Sequence, residues 1–152
     1  MAQLNIKNVR TSTLLRRLSK APNLEKFMEN NSDKMVIPQF CAYILELCQA
    51  AGQVPEQIIK QAAIDRTYGH QLFNGTRKPS RDKVIQLAFG FGLDVDGAQK
   101  LLKLAHKNAL YPKIKRDAAI LHCLNNHKDI IETQSVLQAL GQTLLGGEEK
   151  HG

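Results

Sequence analysis

The chain has 152 residues, 43% of them hydrophobic and 23% charged, which excludes a disordered polyelectrolyte and leaves room for one ordinary domain with appendages. Lys and Arg number 21 against 14 Asp and Glu, a net charge of +7. Such a balance draws polyanions by long-range attraction, with nucleic acid as the first partner to consider and an acidic membrane or acidic protein as rivals.

Helical spacing dominates, and sustained period-2 alternation is absent, so the fold class is all-α. A first short helix is expected over Thr13 to Lys20, with Leu14, Leu15 and Leu18 on one side, a cap from Thr11, Ser12 or Thr13, and Pro22 as its interruption. NLEKFMEN reads as a second short helix and NNSDKM as a linker. From Pro38 to Ala51 the residues Phe40, Ile44, Leu47 and Ala51 share a face, with Cys41, Leu45 and Cys48 beside them and Gly52 as the stop. The next helix starts at Val54 or Pro55 and carries Ile58, Ile59 and Ala62; another follows the N-cap Asp65 and runs to Asn74, ended by Gly75. Ser80 caps a helix with Val84, Leu87, Ala88 and Phe91, closed by Gly92, and Asp94 caps one with Leu101, Leu102 and Ala105. Past Pro112 and the basic Lys113, Lys115 and Arg116 comes a helix with Ala118, Leu121 and Leu124, then a last one from Asp129 to Leu140. No internal repeat is visible. The organisation expected is an N-terminal arm and linker (1–37), a five-helix core (38–107), a C-terminal helical extension (108–145) and a disordered tail (146–152).

The stretch VPEQIIKQAAIDRTYGHQLFNGTRKPSRDKVIQLAFGFGLD, Val54 to Asp94, resembles the core of the Cro/repressor-type (XRE) helix-turn-helix family, and the whole chain resembles small bacterial helix-turn-helix proteins with a DRTYG segment. The resemblance makes Ala63-Ile64-Asp65 the turn and Asp65 to Asn74 the recognition helix. Gly75 is its terminator and Lys78-Pro79-Ser80 the basic step before the next helix. It implies a regulator that lays this helix in the major groove of double-stranded DNA. Arg66, Thr67, Tyr68, His70 and Gln71 would then reach base edges. Thr76, Arg77, Lys78 and Ser80 would dock on phosphate, helped by backbone amides at the helix start. Four residues depart from the family pattern: Ala63 for the turn glycine, tolerable at negative φ; Pro55 for a phosphate-holding Gln; Phe73 for an acid; and Gly69 for a large apolar residue. Gly69 either permits a close backbone approach or weakens its helix.

Each reading has a plainer rival. Arg66 and Gln71 have a rival reading as solvated polar residues, which their place in the motif outweighs, whereas His70 is read equally as solvated and Tyr68 equally as packing against the preceding helix. The segment from Lys100 to Lys128, with seven Lys and Arg against Asp117 alone, is either a solvated face or a second phosphate-contacting surface. Ile130, Ile131, Val136, Leu137 and Leu140 offer a homodimer surface, or pack within one chain. Cys41 and Cys48 read as structural thiols, and neither they nor His122, Cys123 and His127 have partners at metal-ligand spacing. No catalytic motif and no cofactor motif is present. The odd cysteine count and the absence of a signal-like apolar stretch in MAQLNIKNVR make the cytoplasm the expected compartment. No run reaches the roughly 20 apolar residues a membrane span needs. The competing function is a protein-interaction module, adaptor or antitoxin-like, on the same fold. An exposed patch with Tyr68 or Phe73 would mark it.

Overall fold

The computed structural model describes residues 11–31 and 39–147. All secondary structure among them is helical: α1 (Thr11–Lys20), α2 (Leu24–Asn31), α3 (Phe40–Ala51), α4 (Pro55–Gln61), α5 (Arg66–Asn74), α6 (Arg81–Gly90), α7 (Val95–Leu104), α8 (Lys115–Asn125) and α9 (Ile130–Ala139). No described helix is long and apolar enough to cross a membrane.

Local chemistry explains most boundaries. Asp65, Ser80, Asp94 and Asp129 each accept a hydrogen bond from a backbone N–H in the first turn of the helix that follows. Pro55 opens α4, where its missing N–H costs nothing, and the Gln57 side chain reaches back to the Val54 amide at 2.9 Å. Gly52, Gly75, Gly92 and Gly141 end helices with φ between 66° and 82°. The first helix begins at Thr11, so Ser12 and Thr13 stand inside its first turn rather than capping it. Arg17 ties α1 to α2 through Asn31 at 2.8 Å. Asn30 and Asn31 are helical, and the rest of the expected linker, together with Pro38, lies outside the described residues.

One continuous core runs from Tyr43 to Leu145. The C-terminal helices share it and are not a separate layer. At its centre is α6, where every residue from Val84 to Gly90 is buried. This is more than the single face expected from Val84, Leu87 and Ala88, because α4, α7 and α9 surround the helix. Two other faces are corrected. In α3 the buried residues are Tyr43, Ile44 and Cys48, while Leu45 and Ala51 are exposed. In α8 they are Asp117, Ala119, Ile120, Cys123 and Leu124, with Ala118 and Leu121 half-buried. Burial raises the Cys48 thiol to about 11.

The structure also overturns the expectation of no internal repeat. Hairpin α6–α7 recurs as α8–α9 at a displacement of 35 residues. Arg81 and Arg116 open the two units, each followed by an Asp, and Asp94 and Asp129 cap the second helices. Gly92 and His127 hold the same left-handed position in the turns, and His106 and Gly141 do so after the second helices. Gln99 clamps both backbone groups of Leu110 at 2.9 and 2.8 Å. Gln134 does the same to Leu145 at 3.0 and 2.8 Å.

The two hairpins are joined by a crossed set of ion pairs. Arg81 binds the carbonyls of Asn108 and Ala109 at the end of its own unit and makes a two-pronged contact with Asp117 at 3.1 and 2.9 Å. Arg116 binds the equivalent carbonyls of Thr143 and Leu144 and contacts Asp82 at 3.0 and 2.9 Å. Asp117 accepts the Tyr111 amide and Asp82 the Gly146 amide. Gly146, expected in a disordered tail, is therefore held in place, while 148–152 lie outside the described residues. Burial pushes the Asp82 carboxyl up. Hydrogen bonds from Arg116 and Gly146, with the charges of Arg116 and Arg81, outweigh this and leave it below its ordinary value.

Candidate nucleic-acid interface

The region around α5 is built from its turn outward. Helix α4 ends at Gln61. The Ala63 N–H donates to Lys60 O and the Ile64 N–H to Ile59 O, both at 3.1 Å, closing a left-handed helix end. Ala63 has φ +56°, so the proviso that it keep negative φ is not met. Its β-carbon carries the strain that a glycine would avoid. Buried Ile64 plugs the turn. The carbonyls of Ala62 and Ala63 are satisfied from outside the turn by the buried Gln86 amide, at 3.2 and 3.3 Å. Asp65 then starts α5 by accepting the Tyr68 amide at 3.0 Å.

The inner side of α5 is packed tightly. A β-carbon at Gly69 would lie 2.5–2.9 Å from three carbons of Ile59. Of its two readings, the close approach of α4 and α5 is therefore the one observed. Leu72 and Phe73 are buried, and the Phe73 ring sits 6.4 Å from Phe91. Phe73 thus cannot belong to an exposed apolar patch. Tyr68 is half-buried against the core. Above its ring stand the Arg77 guanidinium at 4.5 Å and the Lys83 ammonium at 5.3 Å.

The outer side of α5 carries Arg66, Thr67, His70, Gln71 and Asn74 on one helical stripe. Arg66 and Thr67 are exposed, His70 and Gln71 partly so. Glu56, in the first turn of α4, binds Arg66 at 2.6 Å and His70 on its other oxygen. Hydrogen bonds from His70 and Arg66 hold the Glu56 carboxyl below its ordinary value. Gln71 accepts from the Arg77 side chain at 3.0 Å, and the Arg77 amide donates to the Gln71 carbonyl at 3.2 Å. Arg77 is thereby held between Gln71 and the Tyr68 ring. Asn74 accepts from the Thr76 amide at 2.8 Å and from its hydroxyl. Lys78 is exposed, Pro79 buried, and Ser80 caps α6.

Of the nine residues expected from sequence, the structure joins Arg66 to His70 through Glu56 and links Gln71, Arg77 and Tyr68, while Thr67 and Lys78 stand exposed, Thr76 bonds to Asn74 and Ser80 caps α6. Sequence reasoning missed Glu56, Gln86 and Lys83. An acid in the first turn of α4 reads locally as a complement to the helix dipole. Its partners are 10 and 14 residues away, across a turn whose geometry periodicity does not reveal. Among the described residues no three His, Cys, Asp or Glu side chains converge to hold a metal ion. Compared with protein-family models, curated proteins and solved structures, the chain matches none.

Proposed function

We propose that the chain is a sequence-specific double-stranded DNA-binding protein of the Cro/repressor helix-turn-helix type, a transcription regulator that inserts α5 in the major groove. One observation carries the reading. The polar outer stripe of α5 runs without a break into the cationic loop of Thr76, Arg77 and Lys78 and the capped start of α6. An α-helix fits the major groove of B-DNA, about 12 Å wide. Arg66, His70 and Gln71 are the side chains for base edges, while Arg77, Lys78 and Lys83 are those for phosphate. Of Pro55, Gly69 and Phe73, the three residues that favour a protein-interaction module, Gly69 and Phe73 are used in packing and Pro55 opens α4. This supports DNA over an adaptor role.

The test is fluorescence anisotropy with random duplex pools at low and physiological salt. Binding should enrich one sequence and weaken with salt by a log–log slope of about −0.9 per phosphate neutralised. Arg66→Ala should relax base preference at one position, and Lys78→Ala should weaken binding to every sequence alike. An absence of binding at low salt would overturn the proposal and favour a protein partner.

A further inference from the structure

The contact between the two C-terminal hairpins has a symmetry that limits what else can dock there. In a head-to-tail repeat, each unit would present its Arg to the next unit and leave an unfilled end. Here the exchange is reciprocal: Arg81 goes to Asp117 and Arg116 returns to Asp82. Helix α6 meets α9 and α7 meets α8. Each Asp also accepts an amide from the end of the other unit, Tyr111 for Asp117 and Gly146 for Asp82. Reciprocal contacts between equivalent residues define a two-fold, self-complementary interface, the kind two copies of a subunit form. This chain forms it with itself.

Two further observations follow. The interface is already filled: Ile130, Thr133 and Leu137 of α9 are buried within the chain. Of the five apolar side chains that sequence offered for a dimer, Ile130 and Leu137 are therefore occupied and Val136 is half-buried, while Ile131 and Leu140 stay exposed as single side chains outside the crossed contact. The second unit also lacks a recognition helix. Helix α6 is preceded by α4 and α5, whereas α8 is preceded by the short loop after α7. The pseudo-dimer has two equivalent hairpins and a single α5.

We infer that the chain is a monomer that carries its dimer partner as a second hairpin, and that it reads one asymmetric DNA element rather than a palindrome. The second clause rests on the DNA-binding proposal. The usual arrangement, two half-sites a helical turn apart matched by two-fold protein symmetry, would be replaced by a lone half-site. The internal two-fold would serve the fold, not the operator.

Sedimentation equilibrium of the full chain over a hundredfold concentration range tests the first clause without any DNA. A monomer mass throughout is expected, and a dimer at micromolar concentration would overturn it. Sequence selection from a random duplex pool, followed by stoichiometric titration, tests the second. The expected result is a motif without internal two-fold symmetry, bound one chain per duplex. An enriched palindrome bound two to one would overturn it. Should no duplex bind at any salt, the DNA reading fails and takes the second clause with it, and the sedimentation result still decides the first.

Discussion

The hairpins α6–α7 and α8–α9 are the same device put to two uses. They share the residues that close each unit and join the pair: the opening Arg-Asp, the Asp cap, the Gln clamp and the left-handed turn positions. They differ where α6–α7 meets α4 and α5. Gln86, which holds the α4–α5 turn, corresponds to Leu121; Lys83, beside the Tyr68 ring, corresponds to Ala118. Gly90 corresponds to exposed Asn125, because a β-carbon at 90 would lie 2.8 Å from Ala62 and 2.9 Å from the Ile58 carbonyl. What the units share holds the fold, and what separates them serves the packing of α4 and α5.

The crossed pairs provide the most severe test of the shared part. Arg81→Ala and Arg116→Ala each leave a mostly buried carboxylate without its guanidinium, and each should cost about 3 kcal/mol or more in urea denaturation. Near-equal losses would support equivalence, whereas a large loss from one alone would break it. The Asp82 contribution has a definite sign. A carboxyl held below its unfolded value, near 3.9, stabilises the fold above about pH 4 and ceases to do so as the pH falls through the depressed value. Asp82→Asn should therefore flatten the acid limb of a stability–pH curve.

Residues in the differing part should not be interchangeable. Gly90→Asn forces α6 away from α4 and should cost about 3 kcal/mol. Asn125→Gly, on an exposed helix end, should cost less than about 1 kcal/mol. Equal costs would show that the tight α4–α6 crossing is not what separates the units. Within the turn of α4–α5, Ala63→Gly removes left-handed strain that Gly92 avoids in its own hairpin, and should stabilise by about 1 kcal/mol. A loss instead would mean that Ala63 sits there unstrained.

The smallest effect on folding, and an informative one for function, is at Glu56. Glu56→Gln removes a negative charge beside the stripe proposed to face DNA and releases Arg66 and His70. Thermal stability should hardly change. Affinity for all duplexes should rise on the order of fivefold, while discrimination between sequences falls because Arg66 is no longer positioned. Unchanged discrimination would reduce Glu56 to a surface ion pair.

The helices were legible because caps and apolar spacing are local: Asp65, Ser80, Asp94 and Asp129 were all read as starts, and all four cap. The repeat was not legible, because what recurs is a few polar residues scattered through a changing apolar background. Ala88 is matched by Cys123, Leu87 by His122, and the left-handed positions exchange glycine for histidine. The nine residues proposed for the interface were singled out from the pattern around Gly75 and Pro79. The pairing that orders them was not, since Glu56 and Gln86 reach α5 and its turn only through the tertiary packing of α4 and α6.

The Arg81 and Arg116 contacts join residues 27 to 36 positions apart, whereas each hairpin turn closes over a few. Hairpins can therefore form early and the crossed pairs late, which places the pairs on the native side of the folding barrier. Their loss should then leave the refolding rate nearly unchanged and speed unfolding. The four charges that match the hairpins would thus act mainly as a brake on opening, setting how long a folded molecule persists more than how quickly it is made.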